Sequence, residues 1–191
     1  MRKDTGVAIK LALAGDTMLG RDVADRLATS SPESLFAPEI VEIANEADLF
    51  VLNLECCVSE RGTRWSAPGK AFFFRAPASA AEALALLGVD CVSLANNHAL
   101  DFGEEALQDT FDHLARVGIA WAGAGADVDQ ARAPAYLRQA PSGWGSSRCV
   151  IIPRISQPAP VDPGSPSPTS PARYRTGYWR RYGRPTPRSC W

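Results

Sequence analysis

Short aliphatic runs alternate with helix-like segments along much of this chain, and this alternation limits the folds that are open to it. The runs cover residues 8–14, 49–54, 89–95 and 119–122. Apolar residues at helical spacing lie between them, over residues 22–28, 38–47, 79–87 and 104–117. Short strands that are joined by helices favour an α/β fold with a parallel sheet. We therefore expect one parallel sheet with helices packed against it.

The alternation stops near Arg138. Ten of the residues that follow are proline, and nine arginines stand there against a single acid, Asp162. Residues 1–137 instead carry 11 basic and 20 acidic side chains. We predict a folded domain over residues 1–137 and a disordered, low-complexity Arg/Pro-rich tail over residues 138–191, which has too few apolar residues to form a core. The tail is either a genuine basic extension or an out-of-frame reading that begins near Tyr136.

The cysteines indicate a reducing compartment. There are five of them, they follow no metal-binding or redox spacing, and Cys56 and Cys57 are adjacent. A disulfide framework is therefore not expected. The first apolar run is short and is broken by Lys10, which favours a strand over a signal peptide. No run reaches the roughly 18 apolar residues of a membrane span, so we expect a soluble protein, cytoplasmic by default.

Polar side chains follow three successive strand-like runs. Asp16 ends the first, Asn53 and Glu55 end the second, and Asn97 and His98 follow the third. The carboxyl ends of parallel strands meet at one sheet edge, which is where α/β proteins bind ligands. Carboxylate, amide and imidazole groups suit Mn, Mg, Zn or Fe, and such an ion polarises a phosphoryl or carbonyl group. His98 would then be a metal ligand or a proton donor to the leaving group.

Each of these residues also has a structural explanation. Gly15-Asp16 is a common turn pair. Asp101 with Glu104 has the spacing of a helix capping box, which is an alternative to a catalytic role for Asp101. Asn96 is suited to turn geometry. Three successive strand ends that each carry a ligand-type group favour the functional interpretation.

A basic, aromatic segment covers residues 61–77. It holds Arg64, Lys70 and Arg75 around three consecutive phenylalanines, and these cations suit a phosphate or polycarboxylate substrate or are ordinary surface charge. Residues 123–125, Gly-Ala-Gly, lack the full dinucleotide fingerprint, so we do not predict a nucleotide site. Arginines and aromatics also interleave in the tail, as they do in single-strand nucleic-acid binders. An out-of-frame tail would show the same pattern without any such function.

Five sequence elements, taken in order, resemble the capsule-synthesis CapA family, which comprises poly-gamma-glutamate accessory proteins with a metallophosphatase-like fold. They are LAGDTMLGR at residues 13–21, NLE at 53–55, GKAFFFRAP at 69–77, SLANNHALDFG at 93–103 and GIAWAGAG at 118–125. The resemblance covers roughly residues 8–136, and the NNHxxDxG pattern is its most specific part. It implies a four-layer α/β/β/α metallophosphatase-like sandwich.

The resemblance and the residue patterns together give a set of candidate site residues. The candidate metal ligands are Asp16, Glu55 and Asn97, and the candidate catalytic residues are His98 and Asp101. The candidate substrate-binding residues are Lys70, Arg75, Asn53 and Asn96. The implied cofactor is a divalent metal ion. The implied partners are an anionic polymer or phosphoester substrate and capsule-synthesis proteins, with association at the cell envelope.

The chain departs from the family in one respect. Family members continue into a second half with His-Trp-Gly and Gly-His-His-Pro-His elements, and neither occurs here. We therefore expect only the amino-terminal half of the sandwich, with impaired metal binding and turnover and with one sheet face uncovered. The leading hypothesis is a truncated capsule or poly-gamma-glutamate accessory protein with a metal-dependent phosphoesterase-like core. The alternatives are a metal-dependent phosphoesterase for a small phosphoester or cell-wall intermediate, and a nucleic-acid or anionic-surface binder that acts through the tail.

Overall fold

The computed structural model describes residues 9–66, 69–138 and 148–151. In chain order its elements are β1 (Leu11–Thr17), α1 (Asp22–Thr29), a 3-10 turn (Pro32–Ser34), α2 (Pro38–Asn45), β2 (Leu49–Leu54), β3 (Cys57–Val58), β4 (Arg75–Ala76), α3 (Ser79–Leu86), β5 (Cys91–Ser93), α4 (Gly103–Arg116), β6 (Ala120–Ala122), α5 (Val128–Arg132), β7 (Ala135–Arg138) and β8 (Arg148–Ile151).

The main sheet has four strands in the order β1-β2-β5-β6, and every neighbouring pair is parallel. The predicted α/β class with a parallel sheet is therefore confirmed. Two smaller pairs accompany it, a parallel pair of β3 with β4 and an antiparallel pair of β7 with β8. The β3–β4 pair lies next to the sheet edge that carries the predicted site residues, since β3 follows β2 after only two residues.

One face of the main sheet packs against the helices. Its strands are neighbours in chain order, and right-handed crossovers between such strands place the connecting helices on the same face. The core on this face contains Leu52 and Val92 from the sheet, together with Leu27 of α1, Leu84 of α3 and Leu114 of α4. Burial of these side chains is the main source of stability in the domain.

The opposite face is covered in part. Leu49 and Val51 of β2 pack there against Ala135 and Leu137 of β7. Their partners on β1 are Leu11 and Leu13, whose exposed fractions are 47% and 72%. The prediction of an uncovered sheet face therefore holds at the β1 edge of the described residues.

The boundaries of β1 differ from the prediction. The strand runs over Leu11–Thr17 rather than residues 8–14, because it continues through Gly15-Asp16 alongside β2. Helix α4 is close to its predicted range, and Gly118, with φ of 79°, follows its end. A left-handed conformation of this kind is readily adopted by glycine.

Two helices start without a side-chain cap. Ser79 lies inside α3, and its hydroxyl donates to the carbonyl of Leu27 at 3.4 Å. Phe102 occupies the position before α4, where no side chain caps the helix. The carboxylate of Asp101 instead binds groups outside α4, so the capping box with Glu104 does not form.

The predicted tail lies mostly outside the described residues. Strand β8 falls within the range predicted as the tail, and its residues 148–151 are described. Among the described residues, no helix is long and apolar enough to cross a membrane.

Candidate functional site

The carboxyl ends of β1, β2 and β5 bring several predicted site residues into contact. The amide of Asn53 lies at the centre, where its Nδ2 donates to Asp16 Oδ1 at 2.8 Å and to Glu55 Oε1 at 2.6 Å. Asn96 Nδ2 donates to Asn53 Oδ1 at 3.0 Å, and His98 Nε2 lies 3.8 Å from Glu55 Oε2. We call these five residues the strand-end cluster. Asn53 and Glu55 share one side of β2, as the period-two alternation predicted.

A bulge in β1 places Asp16 in this cluster. Leu13 pairs with Val51, whereas Asp16, and not Gly15, pairs with Asn53, so β1 holds one extra residue over this stretch. Without that residue Asp16 would point to the opposite face, because successive side chains of a strand alternate. β-bulges frequently redirect a side chain in this way beside functional sites.

Asn96 fixes the turn that follows β5. Its Oδ1 accepts hydrogen bonds from the backbone amides of His98 at 2.9 Å and Ala99 at 3.1 Å. Its Nδ2 donates to the carbonyl of Leu54 at 2.9 Å as well as to Asn53. Both ends of the amide are therefore engaged within the fold. Asn96 holds the imidazole-bearing turn against β2, and its predicted contact with substrate stays a prediction.

His98 is held on both sides. Its Nδ1 lies 2.7 Å from Asp101 Oδ2, and its ring lies 4.2 Å from the Phe74 ring. The same Asp101 oxygen accepts a hydrogen bond from the backbone amide of Phe74 at 2.6 Å. Since Asp101 acts as an acceptor there, the proton on the imidazole belongs at Nδ1, and Nε2 points towards Glu55.

Lys70 completes this network from the basic segment. Its Nζ lies 2.7 Å from Asp101 Oδ1 and donates to the carbonyl of Asn97 at 2.8 Å. The approach to Oδ1 satisfies the distance of an ion pair but not the angles of a hydrogen bond, and Oδ1 has no other partner among the described residues. Asp101 is fully buried and the Lys70 side chain is 18% exposed. Lys70 therefore neutralises a buried carboxylate.

The described residues do not assemble a complete metal site. Among them no group of three histidine, cysteine, aspartate or glutamate side chains is placed to hold an ion. Asp16 and Glu55 approach each other, but an oxygen of each accepts from the Asn53 amide. Asn97 is exposed and contributes its backbone carbonyl to Lys70. A two-metal hydrolytic site needs a nearly complete shell around ions roughly 3.5–4 Å apart, and these donors do not supply it by themselves.

The cysteines next to the cluster are not poised to act as ligands or nucleophiles. Cys56 and Cys57 are buried and free. Burial raises the pKa of each thiol to about 12, and the reactive and metal-binding form is the thiolate.

Arg75, predicted to bind substrate together with Lys70, lies in a different place. It lines a cavity of about 420 Å³ with Arg21 and Arg64. Phe74 lies between this cavity and the cluster, since its ring contacts His98 and the Arg21 guanidinium lies 4.8 Å from the ring centre. The predicted set thus divides into two neighbouring places. Arg21 and Phe74 lie in two of the sequence elements that resemble the family, but no pattern gave either residue a role, because both are brought there by contacts between distant segments.

Comparisons with known proteins agree with the sequence elements. The profile of the family "Bacterial capsule synthesis protein PGA_cap" matches residues 10–145. Proteins from two strains of Mycobacterium tuberculosis, CDC 1551 / Oshkosh and ATCC 25618 / H37Rv, are each 35% identical to this chain over 132 residues, which is 69% of this chain and 32% of the relative. Both carry the name "Probable polyglutamine synthesis accessory protein".

An uncharacterized protein of Sinorhizobium fredii (strain NBRC 101917 / NGR234) is 31% identical over 136 residues, which is 67% of this chain and 29% of the relative. The chain thus spans about a third of the length of the curated relatives it matches. All the residues of the strand-end cluster fall within the matched range. This chain belongs to the PGA_cap family of bacterial capsule synthesis proteins.

Proposed function

We propose that this protein is an accessory protein for the synthesis of an anionic capsule polymer of the poly-gamma-glutamate type, and that the strand-end cluster is its working site. Membership of the capsule synthesis family supports the pathway. The observation that carries the site is the Asn53 amide, which draws the carboxylates of Asp16 and Glu55 together beside His98.

The chemistry that best suits these groups is metal-dependent cleavage or transfer at a phosphoester. A divalent ion supplies Lewis-acid polarisation of a phosphoryl oxygen when bound. Asp16, Glu55 and Asn97 are the proposed ligands on this chain, in accord with the resemblance. The described residues do not fit a complete metal shell, so we expect weak binding and impaired turnover unless further ligands are supplied.

His98 is the proposed proton donor, and in that role its imidazolium carries a proton on both Nδ1 and Nε2. Asp101 accepts from Nδ1 and thereby fixes the ring orientation, while Nε2 stays on the side of the cluster. Lys70 pairs with the second oxygen of Asp101. The pairing leaves Nε2 as the atom that exchanges a proton with a substrate oxygen.

Thermal unfolding in the presence of metal tests the site. We expect 1 mM MnCl2 or ZnCl2 to raise the melting temperature of the full chain above its value in EDTA, because an ion that binds only the native state stabilises it. Asp16→Asn and Glu55→Gln should abolish that increase. Asp112→Asn, which removes an exposed acid from α4, is the matched control and should keep it. An equal increase in wild type and Asp16→Asn would contradict the proposal.

A phosphatase assay separates the accessory role from a general phosphoesterase. Hydrolysis of p-nitrophenyl phosphate by this chain, lost in His98→Ala, would favour an enzyme for small phosphoesters. We expect no measurable turnover from this chain. A role for the basic tail in nucleic-acid binding concerns residues outside the described part.

A further inference from the structure

We propose that Arg21, Arg64 and Arg75 form an anion-binding site, distinct from the strand-end cluster, that takes the carboxylate or phosphate groups of a polyanionic ligand. The three side chains line one cavity of about 420 Å³. They come from the start of α1, from the loop after β3 and from β4. A cavity with three convergent guanidinium groups is suited to an oxyanion, because arginine donates paired hydrogen bonds to planar oxygens.

These arginines are not neutralised by the fold. Within the described part of the chain, the side chains of Arg21 and Arg64 make no hydrogen bond or ion pair, and Arg75 donates only to the backbone carbonyl of Arg61 at 3.3 Å. Arg61 shows the contrast, because it pairs with both Asp109 and Glu105. The arginines of the cavity therefore keep their positive charge, whereas the charge of Arg61 is neutralised by its acidic partners.

Aromatic rings orient the three guanidinium groups. Arg75 lies over Phe102 at 4.3 Å and Arg64 over Phe73 at 5.6 Å from the ring centres. Arg21 lies over Phe74 at 4.8 Å. Stacking uses the flat face of a guanidinium and leaves the N–H groups at its edge free to donate. The rings thus reduce the conformational entropy that a ligand would otherwise have to remove.

The backbone brings Arg21 to Arg75. A Cβ on Gly20 would lie 3.1 Å from the Arg75 carbonyl oxygen and 3.2 Å from its amide nitrogen, so the turn before α1 packs directly on β4. Arg21 itself has φ of 53° and ψ of -131°. A non-glycine residue in this region is strained, and such strain concentrates at functional sites.

Two acids also line the cavity, Asp25 and Glu60. Neither forms an ion pair with the three arginines in the described residues. Both acids repel an incoming anion. Removing an acid should therefore strengthen anion binding, whereas removing an arginine should weaken it.

The site lies one aromatic ring away from the strand-end cluster. The Phe74 ring contacts His98, and Arg21 is stacked over the same ring. A polymer with repeating anionic groups could occupy both places. This connection deepens the proposed function and rests on it, but anion binding at the arginines requires neither metal nor turnover.

Isothermal titration of the full chain in metal-free buffer with 50 mM NaCl tests the proposal, with inorganic phosphate and a pentamer of glutamate as probes. We expect saturable binding that Arg21→Gln and Arg75→Gln each weaken roughly tenfold or more, since a hydrogen bond to a charged group is involved. Glu60→Gln should tighten binding. Arg116→Gln, which removes the same charge from exposed α4, should change affinity by less than about twofold. If Arg75→Gln does not fold, Arg64→Gln in the loop takes its place.

The outcomes separate the ligand sources. Binding of phosphate alone assigns the site to phosphorylated ligands, binding of the pentamer alone assigns it to polycarboxylates, and binding of both assigns it to oxyanions in general. Absence of binding, or equal loss in Arg116→Gln and Arg75→Gln, overturns the proposal. Because metal is absent throughout, the site can be confirmed even if metal fails to stabilise the chain, and the two proposals fail separately.

Discussion

Two cations of the same short segment have opposite surroundings. Lys70 is largely buried and pairs with a fully buried carboxylate. Arg75, five residues later, lines an open cavity and has no carboxylate partner in the described part of the chain. The first charge fixes the position of His98 through Asp101, and the second is left for a ligand. Sequence alone groups the two as one basic patch. Their energetic roles differ because burial decides whether a charge must be neutralised.

Substitution of Asp101, the buried partner of Lys70, should cause the largest loss of stability. Asp101→Asn removes the charge that Lys70 neutralises and weakens the hydrogen bond to His98, so we expect a loss of about 3 kcal/mol in the free energy of unfolding. Urea denaturation followed by tryptophan fluorescence measures it. Asp112→Asn should cost less than about 0.5 kcal/mol. Equal losses in the two variants would show that Asp101 is not an essential buried ion.

Removal of the buried cation should have a smaller effect. Lys70→Met removes the one partner that Asp101 Oδ1 has among the described residues, and we expect a loss of about 2 kcal/mol. The control is Lys10→Met, because Lys10 pairs with Glu46 at the surface and should contribute less than about 0.5 kcal/mol. The double variant Lys70→Met/Asp101→Asn should lose less than the sum of the single losses. Additive losses would mean that the two side chains do not interact.

The pair of Arg61 and Asp109 should make a smaller contribution to stability than the pair of Lys70 and Asp101. The hydrogen bond from Arg61 holds the pKa of the Asp109 carboxyl below its usual value of 3.8. When the pKa of a carboxyl is lower in the folded state than in the unfolded state, the ionised carboxylate stabilises the fold at pH values above the unfolded pKa. This stability is lost as the pH falls through the folded pKa, here below about pH 4. Asp109→Asn should therefore flatten the acid limb of the stability curve between pH 5 and pH 2. Arg61 is largely exposed, so we expect about 1 kcal/mol or less.

Substitution of Arg75, which lines the open cavity, should have the smallest effect on stability. Arg75→Gln loses its stacking on Phe102, which we expect to cost about 0.5–1 kcal/mol. Anion binding should fall much more than stability does. If Arg75→Gln lost as much stability as Lys70→Met in the same urea titration, Arg75 and Lys70 would not differ in their roles in stability.

Much of the fold followed from local patterns. The aliphatic runs gave the four strands of the main sheet, and β2 was predicted at its observed bounds, Leu49–Leu54. The ends of β1 were missed, because the bulge before Asp16 depends on pairing with β2 and leaves no local pattern. The association of Asp16, Asn53, Glu55 and His98 was predictable, since parallel strands align their carboxyl ends.

The finer parts of the site were not predictable. Asp101 has the spacing of a cap, yet it is drawn away by Lys70 and by the Phe74 amide, which are distant in sequence. The separation of Arg75 from Lys70 likewise depends on where Gly20 packs. The metal ligands, the catalytic role of His98 and the substrate contacts remain predictions until they are measured.

The order of strands in the main sheet has a consequence for how the chain folds. Within the main sheet, each strand after β1 pairs with the main-sheet strand that precedes it in the chain, so no strand has to insert between two others. During synthesis every completed unit can dock on the free edge left by the one before it. The sheet can therefore assemble progressively on the ribosome, with one growing edge at each stage.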